Sequence, residues 1–430
     1  MPRTRVTTCG RCSPSSSGLD SVTVFLALAI AIGLFMAWNI GANDVANAMG
    51  TSVGSGALTL RQAILVAAVF EFAGAVLVGA HVTETIKGGI IPPEAFAADP
   101  RVFMFGMAAA LAGAAVWLLI ATMLGLPVST THSIVGAVVG FGLITVGWGQ
   151  VQWSTMGSIV LSWIVSPLCG AILAYLTFSF IQRKIILADS PYEATVRWTP
   201  HLIAVVGFTL GLSILYKGLK NLNLDLPFAV AGPLCLLLGG VLGLAMRMWL
   251  SRRQVPDGFS VTSVERLFAG LQVVTACYVA FAHGANDVAN AIGPLAAVVQ
   301  ASQEGSLAAK APVPIWILVL GGVGIVIGLG TYGYKVIETV GHKITSMTPT
   351  RGFSAEFGAA TTVLLASRLG LPISTTHTLI GAVIGVGFAR GLAALNLRVI
   401  RNIAYSWVVT IPAAAVVAML CFAALSRIFG

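Results

Sequence analysis

Ten residues, Gly41-Ala42-Asn43-Asp44-Val45-Ala46-Asn47-Ala48-Met49-Gly50, set an acid and two amides inside a run otherwise apolar enough to cross a bilayer. A carboxylate at mid-bilayer costs about 2.5–3.5 kcal/mol unless it is partnered, so a chain that keeps one there has to build a polar interior around it. The stretch returns almost letter for letter about 240 residues later as Gly284-Ala285-Asn286-Asp287-Val288-Ala289-Asn290-Ala291-Ile292-Gly293. A second motif keeps the same rhythm. Leu126-Pro127-Val128-Ser129-Thr130-Thr131-His132-Ser133 is echoed by Leu371-Pro372-Ile373-Ser374-Thr375-Thr376-His377-Thr378. Two motifs, each present twice, predict an internally duplicated protein with one composite site.

Composition agrees with a chain that lives in lipid. Hydrophobic residues make up 57% of it and charged residues 9%, against about 25% charged in an ordinary soluble domain. Runs long enough for the hydrocarbon core recur roughly twelve times, so an all-α polytopic membrane protein is expected. The net charge of +9 could point to nucleic acid. Its Lys and Arg residues instead flank apolar runs in short loops, as membrane topology demands, and no nucleic-acid partner is expected. Of the six cysteines, Cys9 and Cys12 form a lone CxxC in the polar tail of residues 1–20, a weak zinc signal, and the other four sit singly in apolar runs.

Taken in order, residues 21–183 form the first repeat, 184–262 a connecting region with two unechoed spans, and 263–430 the second repeat. Within them the expected spans include 62–80, 102–124, 129–146 and 154–182 in the first half, and 314–334, 353–367, 373–389 and 402–426 in the second. An odd number of spans separates the two Asn-Asp motifs, so the repeats cross in opposite senses. With both termini outside, Arg61, Arg183, Lys184, Arg197, Arg247, Arg252, Arg266, Arg351 and Arg390 fall in inner loops, which satisfies the positive-inside bias.

On a helix, Asn43, Asp44 and Asn47 project toward one side, as do Asn286, Asp287 and Asn290. Flanking glycines are expected to let the helix unwind and expose carbonyls. With carboxylate and amide oxygens these make hard ligands for a small cation such as Na⁺. The Pro-x-Ser-Thr-Thr segments read as half-helix starts. Capping hydroxyls and first-turn amides there make an anion site from Ser129, Thr130 and Thr131 with Ser374, Thr375 and Thr376. Gly136-x-x-x-Gly140 and Gly381-x-x-x-Gly385 downstream read as packing faces. No Lys or Arg falls within the four motifs, so an anion can enter beside two aspartates only together with cations. Glu71 and Glu356 are further intramembrane acids and functional candidates. His132 and His377 are expected to orient their neighbours.

The paired Gly-Ala-Asn-Asp-Val-Ala-Asn-Ala and Pro-Val/Ile-Ser-Thr-Thr-His motifs resemble those of the inorganic phosphate transporter family, the cation-coupled phosphate permeases, over about residues 21–430. The resemblance implies about twelve transmembrane helices in two inverted-topology repeats with broken helices, both termini outside the cell membrane, and phosphate and cations held between the repeats. It implies ion binding by Asn43, Asp44, Asn47, Asn286, Asp287 and Asn290, with Na⁺ at Asp44, Asn47, Asp287 and Asn290. Phosphate contact falls to the six Ser and Thr residues, and Glu71 and Glu356 also match the family pattern.

The expected function is symport of inorganic phosphate with Na⁺, or with H⁺, by a protein with no catalytic residues and no cofactor beyond the co-transported ion. Its partners are phosphate, the cation and membrane lipid, with a homodimer as an open assembly. Sulfate transport by the same machinery is the nearest rival, and a hydrolase using Ser129 or Thr130 with His132 a distant one.

Overall fold

A computed structural model describes residues 21–79, 89–215, 226–252, 260–304, 313–368 and 373–430. The tail bearing Cys9 and Cys12, and Leu371 and Pro372 of the second proline motif, lie outside the described residues. Among the described residues there are thirteen α-helices and no strand. The first half holds α1 (Ser21–Gly54), α2 (Leu60–Val78), α3 (Pro100–Met123), α4 (Thr130–Thr145) and α5 (Trp153–Ile181). The connecting region holds α6 (Pro191–Ser213) and α7 (Phe228–Ser251). The second half holds α8 (Val261–Glu304), α9 (Ile315–Thr331), α10 (Tyr334–Glu338), α11 (Pro349–Arg368), α12 (Thr375–Ala389) and α13 (Leu397–Phe429).

The helix ends follow local chemistry. Thr59 and Gln62 form a reciprocal capping box at the start of α2, and Asp99 caps α3 with Pro100 in its first turn. Between α3 and α4 the chain turns at Gly125, whose φ of 66° favours a residue without a Cβ, and Pro127 then bars continuation of the helix.

Among the described residues, seven helices are long and apolar enough to cross a membrane, and α9 with the bent segment Tyr334–Lys343, broken by 58°, makes an eighth if the pair is one span. The chain is therefore a multi-pass membrane protein, while the expected count of twelve is only partly matched. The difference is clearest at 129–146 and 373–389. There α4 and α12 have 16 and 15 residues, a rise of roughly 22–24 Å against about 30 Å of hydrocarbon. Each is the return arm of a hairpin. The far end of α4 comes back to the start of α3, where Phe96 meets Phe103 at 5.4 Å and Phe141 at 6.0 Å and Gln152 N donates to Ile90 O at 2.9 Å. The α11–α12 hairpin closes the same way, with Asn396 N donating to Ile344 O at 2.9 Å.

The two halves grip each other through matched glycines. A side chain at Gly41 of α1 would strike the Ile325 carbonyl of α9, and one at Gly284 of α8 would strike the Glu71 carbonyl of α2. Gly136 and Gly140 of α4 lie against Ile411 and Ala415 of α13, as Gly381 and Gly385 of α12 lie against Pro167 and Ala171 of α5. Backbones approach this closely because the small residues permit it, and dispersion and weak backbone contacts then hold the helices together in lipid. The same four glycines were expected to form packing faces from sequence. Each repeat thus supplies the partner for the other's motif helices, and the motifs end up in the centre.

One local expectation is corrected. The Asn-Asp motifs do not unwind: α1 and α8 run through them as continuous helices. The flanking glycines serve helix contact rather than carbonyl exposure. Every residue from Asn39 to Ser52 in α1, and from Asp287 to Gln300 in α8, is buried.

Candidate functional site

The tips of the α3–α4 and α11–α12 hairpins meet the middles of α1 and α8 in the interior. Asn43 fixes the first tip. Its Nδ2 donates to Thr122 Oγ1 at 2.9 Å and Leu126 O at 3.0 Å, and its Oδ1 accepts from Val128 N at 3.1 Å. The chain break at Pro127 leaves carbonyls and amides that need partners inside the protein, and one buried amide side chain satisfies two of them, Leu126 O and Val128 N, besides the Thr122 hydroxyl. Ser129 Oγ accepts from His132 N and Ser374 Oγ from His377 N, each at 3.2 Å, so both serines are N-caps as expected.

Each hydroxyl segment reaches across to the acids and amides of the motif helices. Thr376 Oγ1 donates to Asp44 Oδ1 at 3.1 Å and accepts from Asn47 Nδ2 at 2.8 Å, while Asn47 Nδ2 also lies 3.0 Å from Asp44 Oδ1. Thr375 Oγ1 donates to Asp287 Oδ2 at 2.8 Å. Asn290 Nδ2 faces Thr130 Oγ1 at 3.1 Å, Thr131 Oγ1 at 3.4 Å and Asp287 Oδ1 at 3.3 Å, and Asn286 Nδ2 donates to Asp287 Oδ1 at 3.0 Å. Asp44 and Asn47 thus meet Thr376, and Asn290 meets Thr130 and Thr131, across the two repeats, while Asp287 is held by Thr375 and Asn286 of its own repeat; Asn43 secures the tip and the two serines cap the helices. Two acceptor oxygens in this cluster, Asp44 Oδ2 and Asn47 Oδ1, are buried and accept no hydrogen bond. Lone pairs left unmet in a dry interior suit a cation. A small space of about 20 Å³ lies beside Asn47, His283 and Thr375, its other walls the apolar Val279, Ala359 and Leu379, and it has room for one water or a bare ion.

The sequence profile of the phosphate transporter family matches residues 40–418, which includes all four motifs. This chain belongs to that family. A chain of Pyrococcus furiosus named a phosphate permease by inference is 50% identical over 405 residues, covering 94% of this chain and 97% of that one. The inorganic phosphate transporter 2-1, chloroplastic, of Arabidopsis thaliana is 44% identical over 434 residues, covering 94% of this chain and 73% of that one. A solved structure titled as the sodium-dependent phosphate transporter superposes with a TM-score of 0.86 at 43% identity, covering 94% of this chain and all of that one.

Within this family member the centre contains one residue that motif reading missed. His283, immediately before the second motif, places Nε2 2.9 Å from Asp287 Oδ2 and 3.7 Å from Asp44 Oδ2, and Nδ1 3.3 Å from Glu71 Oε1. It bridges both aspartates and brings Glu71 to the same cluster. The signal available in sequence was the mismatch between repeats: His283 stands where the first repeat has Ile40. Glu71 is likewise matched by Ile325, as the paired glycine contacts identify. The absence of Lys and Arg from the motifs therefore does not leave the site without a basic group.

Glu356 lies in a separate buried cluster. Its Oε1 accepts from Thr51 at 2.7 Å, Ser52 at 2.8 Å and Gln272 Nε2 at 3.0 Å, and its Oε2 from Thr275 at 2.5 Å. His132 and His377 face each other at 4.2 Å between ring centroids, with His132 against Trp163 at 3.5 Å and His377 against Trp407 at 3.6 Å. The imidazoles thus lie in an aromatic column. Ser129 bonds the backbone of His132 and not its ring, which gives a Ser-His nucleophile pair no geometry.

Proposed function

We propose that this chain is a secondary active transporter that carries inorganic phosphate across the cell membrane with Na⁺, in preference to H⁺, as the coupled cation. The observation that carries the reading is the sharing of threonine hydroxyls between the two ligand sites. Thr375 and Thr376 donate to Asp287 and Asp44, and the same hydroxyls sit in the first turn of α12, where helix amides favour an anion. A cation on Asp44, Asn47, Asp287 and Asn290 takes over the carboxylate charge and frees those hydroxyls to turn toward phosphate. Coupling then has a local cause, and it is reciprocal. Thr130 and Thr131 play the same part opposite Asn290, while Ser129 and Ser374 hold the helix starts that present the amides.

In this reading the inverted repeats are residues 21–183 and 263–430, joined through 184–262, and both termini face outward. The Na⁺ dependence in the name of the structural neighbour and the phosphate in the names of the relatives support the assignment. The deciding experiment is uptake of labelled phosphate into proteoliposomes under an imposed Na⁺ gradient, compared with an imposed pH gradient, with sulfate as competitor. Accumulation driven by Na⁺ and indifferent to sulfate is expected. Uptake driven by the pH gradient alone overturns the cation assignment, and displacement by equimolar sulfate overturns the anion assignment.

A further inference from the structure

The connecting hairpin, α6 with α7, has no counterpart in either repeat, and it packs on the body through a small cluster in which Val206 joins Val264, Phe268 and Phe353. α6 and α7 pack on each other closely, Gly239 against the Ala204 carbonyl and Gly243 against the Pro200 carbonyl. Between the hairpin and α8 there remains a partly open cavity of about 950 Å³, near the upper end of the range for ligand pockets. Its walls are Val206, Leu210, Leu242, Leu271 and Val274, and its mouth at one end carries Arg266, Ser263 and Tyr192.

Two features give the space a specific shape. From Ser263 to Val274 the wall formed by α8 rises about 16 Å, roughly half of a 30 Å hydrocarbon core, which is one leaflet. Gly270, in the middle of that wall, has nothing within 4 Å of where a Cβ would stand. The glycines at the repeat interface are pressed by neighbouring backbone; this one faces open space. At the mouth, no carboxylate is within ion-pair distance of Arg266 among the described residues, and Arg197, Arg247 and Arg252 belong to the same end of the hairpin and are exposed. An apolar slot one leaflet deep, closed at the headgroup level by an unpaired guanidinium and a hydroxyl, complements one molecule.

We propose that this cavity is a binding site for a single anionic phospholipid, its acyl chains along Val206, Leu242 and Val274 and its phosphate on Arg266. The lipid fills the gap that the unduplicated hairpin leaves and joins the hairpin to the second repeat. The site is separate from the ion cluster, so its test does not depend on the transport reading.

Delipidated protein is titrated with phosphatidylglycerol and, separately, with phosphatidylcholine, and retained lipid is counted by native mass spectrometry for wild type, Arg266→Gln, Gly270→Leu and Val274→Phe. One phosphatidylglycerol per chain is expected on wild type, favoured over phosphatidylcholine by roughly fivefold or more, the factor one near-surface arginine supplies. Arg266→Gln is expected to lose the preference. Gly270→Leu fills the slot from the helix and is expected to lose the lipid, with Tm kept or raised because a helix glycine is replaced; Val274→Phe fills the same wall independently. Equal retention of the two lipids by wild type, or undiminished lipid in both filling variants, overturns the proposal. So does a wild-type dimer that carries no lipid and dissociates in the filling variants, since that outcome assigns the groove to a second copy of the chain.

Discussion

At the scale of single residues, the centre is a set of buried carboxylates distinguished by what each one touches. Asp44 keeps one oxygen without a donor, whereas Glu356 has hydrogen bonds to both of its oxygens. A carboxylate with an unmet lone pair has room for a cation; one ringed by donors is already satisfied. Asp44→Asn keeps the shape and removes a charge. It is expected to shift the Na⁺ dependence of phosphate binding to higher concentration by roughly tenfold, the worth of one charge-assisted contact, with phosphate affinity near normal at saturating Na⁺. Phosphate binding lost at every Na⁺ concentration would place Asp44 on the anion instead. The pair His283 and Glu71 yields a second prediction. Breaking a buried ion pair from one side leaves an uncompensated group and costs about 3–5 kcal/mol, whereas replacing both partners with apolar residues is often near neutral. The first repeat and its partner already hold that apolar version as Ile40 and Ile325. His283→Ile alone is expected to lower thermal stability sharply, and His283→Ile with Glu71→Ile to recover only the share that belongs to Glu71, because Asp287 still loses its 2.9 Å partner. Equal destabilisation by the single and double variants would show that the two residues act independently.

At the scale of elements, the decisive devices are the hairpin tips and the glycine contacts. Ser129 and Ser374 cap the return helices, and loss of a cap costs about 0.5–2 kcal/mol. Ser129→Ala is therefore expected to lower both stability and phosphate affinity. Ser129→Asp retains the capping oxygen but adds a negative charge beside the anion site, and is expected to keep stability while phosphate binding fails. If Ser129→Asp binds phosphate as wild type does, the α4 start is a packing feature only. The glycine contacts are tighter still. A Cβ at Gly41 or Gly284 meets a carbonyl oxygen of the opposing helix, so Gly41→Ala and Gly284→Ala are each expected to cost about 1–3 kcal/mol, as overpacking does, read as a lowered Tm in detergent.

For the whole molecule, the odd number of crossings expected between the motifs, and with it repeats in opposite senses, keeps its parity when α4 and α12 become return arms, because each hairpin starts and ends on one side. Ser190→Cys, in the exposed turn before α6, is expected to resist an impermeant thiol reagent applied to intact cells, while Gly430→Cys at the C-terminus reacts. Labelling of Cys at 190 from outside would reverse the orientation.

The sequence by itself determined the helical membrane class, the duplication, the chain breaks at the proline motifs and the capping serines. These depend on composition, period and local backbone chemistry, all of which act over a few residues. It also named the twelve motif side chains that the structure brings to the centre or to the hairpin tips, Asn43 among them as the anchor of a tip. Only the tertiary structure decided that Thr376 pairs with Asp44 and Asn290 with Thr130, that Glu71 and Glu356 lie in different clusters, and that His283 joins the two aspartates. Apart from His283 and Asp287, one helical turn apart, those are contacts between residues 160 to 332 positions apart, fixed by how one repeat packs into the other. The flanking glycines were misread for the same reason. A glycine permits both unwinding and close approach, and the choice between them belongs to the helix across the interface, which the local sequence does not contain.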